Sequence, residues 1–145
     1  MEITQTQSIE AACTKLVNLY YQFNDNRKFK AASELFTEDG ALARPTDPEN
    51  FTTGKANILA AWESRPNDRI ARHVISNIII DVVDAEHAKG SCYATLFMAP
   101  VDAEKAKFGV KANPSQLMGE FDLDFSLTDD GWKIARTTGR IIFTT

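Results

Sequence analysis

The sequence is poor in the residues that hold metal ions and close disulfides. Its 145 residues include two cysteines and two histidines, with no Cys-x-x-Cys pair and no His or carboxylate spacing typical of a metal site. Cys13 falls in a predicted helix and Cys92 in a predicted strand, so we expect both to be small buried apolar residues. We therefore predict a protein that uses no metal and no other cofactor.

A basic face and a long apolar run are also missing. The formal net charge is -4 and the Lys and Arg residues are scattered, which argues against nucleic acid as a partner. Residues 1–12 lack the charged start and apolar core of a signal peptide, and no apolar stretch reaches membrane-spanning length. These absences predict a cytoplasmic protein with no membrane partner.

The composition that remains suits one globular domain. The chain is 43% hydrophobic and 25% charged, which is the balance of an ordinary folded protein rather than a disordered one. Its length is enough to bury a core, and it shows no internal repeat and no low-complexity segment. We predict a single domain over residues 1–145.

Helical periodicity dominates the first half of the chain. Ser8 is a candidate N-cap for a long amphipathic helix. Its apolar stripe consists of Ile9, Cys13, Leu16, Val17, Tyr20 and Phe23 or Asn24. Residues 24–26 are predicted to turn the chain into a second short helix closed by residues 37–40, and residues 45–48 form a loop before a third helix over 54–62. We expect three helices before the first strand.

The second half alternates with a period of two, which is typical of strands. The predicted strands span residues 70–83, 90–99, 116–128 and 132–143. Turn-forming residues at 84–90 and 129–131 predict antiparallel hairpins, whereas the longer segment 100–114 predicts a mobile flap or crossing loop. A curled antiparallel sheet packed against three N-terminal helices makes an α+β fold and leaves an apolar hollow.

His73 is the histidine that we expect to have a function, because it lies inside a strand whereas His87 lies in a turn. If the strand alternates regularly, Ile75, Asn77 and Ile79 share a face with His73. An imidazole on an apolar surface suits the role of a general base, and the amide would be its polar neighbour. The alternative is a hydrogen-bonded histidine of the core.

Other candidates also have two interpretations. Asp25 is either a helix-corner cap or a partner of a catalytic residue. Tyr20 or Tyr21, one turn earlier, could direct a hydroxyl into the hollow, although a core tyrosine is the alternative. The aromatic residues Trp62, Phe97 and Phe121 are candidates for lining a substrate pocket, with a place in the core as the alternative.

Several of these features together resemble a known family. They are Asp25, the segments 31–36 and 37–40, residues 54–62, Arg72-His73 with Asn77, and residues 131–134. This set resembles the SnoaL-like branch of the nuclear transport factor 2-like superfamily, whose relatives include scytalone dehydratase, polyketide cyclases and the small subunit of ring-hydroxylating dioxygenases. The resemblance implies a cone-shaped α+β fold with a deep pocket. It also implies that Asp25 orients His73, which moves a proton on a bound carbonyl compound.

The resemblance therefore predicts a cofactor-independent lyase or isomerase acting on a small apolar carbonyl, aromatic or polyketide-like substrate. Tyr20, Tyr21 or Asn77 would polarise a substrate oxygen. The chain departs from scytalone dehydratase because it offers no second histidine inside the pocket. The alternative is a non-catalytic small-molecule-binding module or an accessory subunit of a larger enzyme. In either case the resemblance implies a homodimer paired through the outer face of the sheet.

Overall fold

The computed structural model describes residues 1–114 and 116–144, and these form three helices and one six-stranded sheet. The helices are α1 (Ile3–Asp25), α2 (Phe29–Ser33) and α3 (Lys55–Glu63). The strands are β1 (Phe36–Arg44), β2 (Asp47–Thr53), β3 (Arg69–Val82), β4 (His87–Pro100), β5 (Leu117–Thr128) and β6 (Gly131–Thr144). The sheet order is β2-β1-β6-β5-β4-β3, with β1 and β6 parallel and all other neighbours antiparallel. This is an α+β fold, with helices packed on a curled sheet as the sequence predicts.

Helix α1 covers the inner face of the sheet and contacts β3, β4 and β6. Its buried residues are Ile9, Cys13, Leu16, Val17 and Tyr21. The predicted start at Ser8 is wrong, because the helix begins at Ile3 without any side-chain cap. No helix in the described part of the chain is long and apolar enough to cross a membrane.

The largest departure from the sequence-based expectation is a β-hairpin between α2 and α3. Residues 37–40 do not close a helix; they belong to β1, which pairs with β6 at Phe36 and again at Ala41 with a register shift between. The turn-forming residues lie within that irregular stretch, where Thr37 Oγ1 is 3.1 Å from Asp39 Oδ1. Strand β2 lies at the edge of the sheet and is almost entirely exposed, so its residues carry no alternating pattern and Pro48 is tolerated.

The four later strands are where the sequence places them, but β3 contains a bulge. Its pairing with β4 shifts between Ser76 and Ile79, and Asn77 has a φ of 53°. The extra residue reverses the alternation, so Ile78 and Ile80 face the core while Asn77 and Ile79 are exposed. The expectation that Asn77 shares the inner face with His73 is therefore wrong.

The segment between β4 and β5 is a loop as expected. Within residues 101–114, Lys105 and Val110 form an isolated bridge, and the Lys111 amide donates to the Glu104 carbonyl at 2.8 Å. The segment thus has a local hairpin-like shape of its own.

Two glycines make room for an aromatic ring on the inner face of the sheet. A Cβ on Gly139 would lie 2.6 Å from the Phe121 ring, and one on Gly119 would lie 3.1 Å from it. The ring therefore lies flat across the backbone of β5 and β6 and contacts Tyr21 edge-on, with centroids 5.6 Å apart. Phe121 is held in this position because its neighbours have no side chains.

Replacing Gly139 with Ala should force the Phe121 ring out of this position. We expect Gly139→Ala to lower the free energy of unfolding by about 1–3 kcal/mol, the usual cost of overpacking. In a Phe121→Val background, which removes the ring, the same change should cost much less. Urea unfolding of the four proteins of this double-mutant cycle measures the difference, and equal costs in both backgrounds would contradict the packing argument.

Candidate functional site

The end of α1 is built to present a carboxylate to β3. The Lys28 amide donates to the Phe23 carbonyl at 2.8 Å and the Arg27 amide to the Asn24 carbonyl at 3.1 Å, which is the Schellman arrangement. Arg27 occupies the left-handed position with a φ of 55°, where glycine is usual. This tight corner leaves Asp25 as the last helical residue, facing the neighbouring strand.

Asp25 makes two short contacts with His73. Its Oδ2 accepts the backbone N–H of His73 at 2.7 Å, and its Oδ1 lies 2.6 Å from the ring Nδ1. The Asp25 side chain is 6% exposed and that of His73 is 23% exposed. A buried carboxylate at Nδ1 favours the tautomer protonated there and leaves Nε2 as the nitrogen available to a ligand.

The alternative interpretations, a helix-corner cap for Asp25 and a hydrogen-bonded core histidine for His73, each describe only part of what the structure shows. Asp25 does accept a backbone N–H, but from β3 rather than from its own helix corner. His73 is hydrogen-bonded, but it borders cavities instead of being enclosed in the core. His87 forms a similar contact with Asp84 at 2.9 Å, with both side chains more than half exposed. The chain thus carries one sheltered and one exposed His–Asp pair.

Four cavities have His73 as a lining residue: one of about 340 Å³ is lined mainly by polar residues of α1 and β3, and the other three share several further residues with one another. The largest, about 440 Å³, also borders Asp25 and four arginines. The second, about 160 Å³, lies between α1 and the β1–β2 hairpin. The third, about 190 Å³, is lined mainly by apolar side chains of β4 to β6. We call the largest the arginine lobe and the third the apolar lobe; together they have the size of a small-molecule site.

The two adjacent tyrosines differ in their surroundings, and both border the 160 Å³ cavity. Tyr21 is 4% exposed, stacks at 5.1 Å from the His73 ring, and its buried hydroxyl has no hydrogen-bond partner among the described residues. Burial raises the pKa of Tyr21, and the nearby Cys92 thiol adds to the effect. Burial also raises the pKa of Tyr20, which packs against Trp62. Both hydroxyls are thus held neutral as possible donors.

The remaining predicted pocket residues divide between the two faces of the sheet. Phe121 borders the apolar lobe, and Trp62 is a core residue that also borders the 160 Å³ cavity. Phe97 does not reach any cavity described above, because it pairs with Arg72 on the outer face and is 38% exposed. Asn77 is directed away by the bulge in β3. Neither Phe97 nor Asn77 lines the site that contains His73.

Sequence reasoning missed the positive charge of the site. The arginine wall, as we call it, consists of Arg27, Arg44, Arg65 and Arg69, which come from the α1–α2 corner, the end of β1, the segment after α3 and the start of β3. Their spacing along the chain follows no motif, so the fold alone brings them together. The pocket is therefore half apolar and half cationic, which corrects the expectation of an apolar pocket.

In residues 1–114 and 116–144, no group of three or more His, Cys, Asp or Glu side chains is arranged to hold a metal ion. Asp25 and His73 are a pair without a third such ligand nearby. The chemistry that this site can perform with its own residues is proton transfer by the imidazole and electrostatic stabilisation by tyrosine and arginine.

Solved structures share this arrangement of helices and sheet. A scytalone dehydratase-like protein from Novosphingobium aromaticivorans is 19% identical, with 99% of this chain and 91% of that chain covered and a TM-score of 0.83. The hexachlorocyclohexane dehydrochlorinase LinA-type3 from Novosphingobium barchaimii is 15% identical, with 99% and 93% covered and a TM-score of 0.81. These likenesses define the class of fold, which is that of the nuclear transport factor 2-like proteins.

The family follows from the sequence itself. A SnoaL-like domain model matches residues 5–138, so the chain belongs to the SnoaL-like domain family. No curated protein matches the chain at a significant level. Family membership thus rests on the match to the SnoaL-like domain, whereas the fold rests on that match and on the solved structures.

The orienting role of Asp25 can be tested by NMR of the histidine rings. We expect long-range 15N–1H spectra recorded at alkaline pH to show His73 protonated at Nδ1. Asp25→Ala should shift the ring toward a mixture of tautomers and speed exchange of the His73 amide, which loses its acceptor. Asp84→Ala is the matched control and should change His87 alone. An unchanged His73 ring in Asp25→Ala would show that the carboxylate does not set the tautomer.

Proposed function

We propose that this protein is a cofactor-independent lyase or isomerase in which His73 is the general base and Asp25 is its positioning residue. The observation that carries the proposal is the 2.6 Å contact between the ring Nδ1 and a buried carboxylate, made by a histidine that also borders the cavities. Related folds include a dehydratase-like protein and a dehydrochlorinase, whose names describe loss of water and of hydrogen chloride. Both reactions remove a proton from carbon.

The proposed step is a β-elimination. Nε2 of His73 takes a proton from a substrate carbon, and the electron pair of the broken C–H bond forms a double bond to the adjacent carbon. The leaving group departs from that adjacent carbon with its bonding pair, as chloride or, after taking a proton, as water. Asp25 stabilises the imidazolium formed at His73 without itself becoming protonated. In an isomerisation, His73 would return the proton to another carbon.

The substrate class follows from the two lobes. Leu96, Met98 and Phe121 are among the residues that make the apolar lobe suitable for a small ring or hydrocarbon body. Tyr20 and Tyr21 are both candidates for polarising a substrate oxygen, because both border the 160 Å³ cavity together with His73. A small cyclic carbonyl compound with a hydroxyl or halide one carbon beyond the acidic C–H meets these requirements.

Two probes test the reaction class directly. 3-Hydroxy-1-tetralone loses water to give fluorescent 1-naphthol, and hexachlorocyclohexane releases chloride. If the wild-type protein converts either, His73→Gln should lower kcat/KM by about 10²–10⁴-fold, the usual contribution of a general base. Asp25→Asn should lower it with little change in KM, because the carboxylate acts through His73.

The exposed pair provides the control for these assays. His87→Gln removes a histidine that also contacts an aspartate, and it should leave turnover unchanged. A His73→Gln protein that keeps full activity would exclude the proposed mechanism. Tight binding of the tetralone without conversion by the wild-type protein would favour the alternative of a binding module.

We also propose that the protein forms a homodimer through the outer face of the sheet. Val74, Thr95, Met118 and Phe143 stand opposite one another across β3 to β6 and form a continuous outer row. Val74 is 55% exposed and Phe143 is 62% exposed, so the single chain leaves apolar surface open to solvent. The same row would suit a larger partner if the chain were an accessory subunit.

Sedimentation equilibrium at micromolar concentration distinguishes these arrangements. We expect a dimer for the wild-type protein and a monomer for Val74→Glu, since a buried unpaired charge opposes association. Val101→Glu changes an apolar residue that is 52% exposed and outside the row, and it should remain a dimer. A wild-type monomer would contradict the homodimer and leave the outer row for a different partner.

A further inference from the structure

The arginine wall concentrates positive charge at one place in an acidic protein. The chain has a net charge of -4, yet four of its seven arginines line a single cavity of about 440 Å³. Asp25 is the one carboxylate among the residues that line this lobe, and it is engaged by His73. Guanidinium groups stay protonated in proteins, so the lobe carries a surplus of positive charge.

The four arginines differ in the hydrogen bonds that their guanidinium groups make with the protein. Arg27 donates to the carbonyls of Arg65 at 2.9 Å and Pro66 at 3.3 Å and lies over the Phe29 ring, so its role is to hold the segment after α3 in place. The guanidinium groups of Arg44 and Arg65 have no hydrogen-bond or ion-pair partner in the part of the chain that the structure describes. Both residues are exposed at the lobe, so a ligand there would accept from their guanidinium groups in place of water.

Nearby acidic residues offset only part of this charge. Asp47 lies across the hairpin from Arg44, but its carboxylate accepts from the Asn50 amide at 2.8 and 2.9 Å and forms no ion pair with Arg44 in the described part of the chain. Arg69 meets Asp68 at 3.5 Å, an exposed contact between sequence neighbours that contributes little.

The arginines also repel one another. The pKa of Arg65 is lowered first by burial and then by the charges of Arg44, Arg69 and Arg27. Arg65 is nevertheless exposed to solvent at the lobe, so water screens part of this repulsion. Assembling like charges at a partly enclosed site costs free energy that a bound anion would recover.

We infer that Arg44, Arg65 and Arg69 bind the carboxylate of an organic substrate, whose apolar body extends past His73 into the apolar lobe. This deepens the proposed function, on which it rests, by naming the substrate as a small cyclic carboxylic acid. His73 borders both lobes, so a molecule anchored at the arginine wall passes the proposed base. Arg69 also borders both lobes and marks the boundary between them.

An inorganic anion is the other chemistry that such a wall could attract. A single chloride needs one or two donors, whereas three arginines from three separate elements suit the two oxygens of a carboxylate, which accept bidentate pairs. The continuity of the arginine lobe with the apolar lobe at His73 favours an organic acid. Chloride is therefore included as a competitor in the test.

The test compares two probes of nearly equal shape. Benzoate and neutral benzamide are titrated into the wild-type protein at low ionic strength, and binding is followed by NMR shifts of the backbone amides of residues that line the two lobes. We expect benzoate to bind at least about tenfold more tightly, because one charge-assisted hydrogen bond contributes about 1.5–3 kcal/mol. Equal affinity of the two probes, or failure of both to bind, would overturn the inference.

Variants locate the binding to the wall. Arg44→Gln with Arg65→Gln should weaken benzoate by about 10–100-fold and change benzamide by no more than about threefold. Arg140→Gln is the matched control, since Arg140 pairs with Glu120 and Asp122 on the outer face and should not affect either probe. If the double variant unfolds, the single Arg44→Gln change and the wild-type probe comparison still decide the question.

Two further outcomes separate this inference from the proposed function. Chloride that displaces benzoate at equal concentration would show a site for inorganic anions and overturn the inference. His73→Gln should keep the preference for benzoate, because the anion is bound by other residues. If His73→Gln loses turnover but the wild-type protein shows no preference for benzoate, the carboxylate site is refuted and the general base is not. If the wild-type protein prefers benzoate but His73→Gln stays fully active, the general base is refuted and the carboxylate site is not.

Discussion

The contact between Asp25 and His73 is the interaction on which the rest of the site depends. One carboxylate oxygen accepts the strand backbone and the other accepts the ring, so a single side chain joins the end of α1 to β3. A carboxylate that is 6% exposed is costly to desolvate, and these two short hydrogen bonds offset that cost. This one contact therefore fixes the end of α1, the position of β3 relative to that end and the orientation of the imidazole.

The corner that follows Asp25 connects this pair to the cationic half of the site. Arg27 adopts a left-handed backbone conformation that costs a non-glycine residue about 1 kcal/mol or more, and its side chain offsets this through bonds to the carbonyls of Arg65 and Pro66. The same turn thus places the carboxylate beside His73 and holds Arg65 at the lobe. A glycine would suit the backbone of this corner better, but it could not make these side-chain contacts.

Much of the fold could be predicted from the sequence, and the misses have local physical reasons. The apolar stripe of α1, the helix α3 and the four later strands follow from periodicity, and the Asp25–His73 contact agrees with the resemblance to SnoaL-like proteins. Strand β1 was missed because turn-forming residues occupy its irregular middle, and β2 because an exposed edge strand has no buried face. Asn77 was misplaced because one extra residue in a bulge reverses every later side chain. Phe97 lies on the outer face, opposite Arg72, and its aromatic character alone did not reveal which face it occupies.

The arginine wall could not be predicted from sequence periodicity, because its members come from four separate segments and meet only in the folded chain. Its relation to His73 gives the pocket a direction: arginines line one end, apolar side chains line the other, and the imidazole borders both. Contacts far from the reacting carbon can then be used to hold that carbon near Nε2, which is how binding energy lowers a barrier without any contact to the bond that breaks. On the proposed function, a neutral substrate of the same shape would lose that anchor and occupy the apolar lobe in several orientations, so the wall would contribute to orientation as well as to affinity.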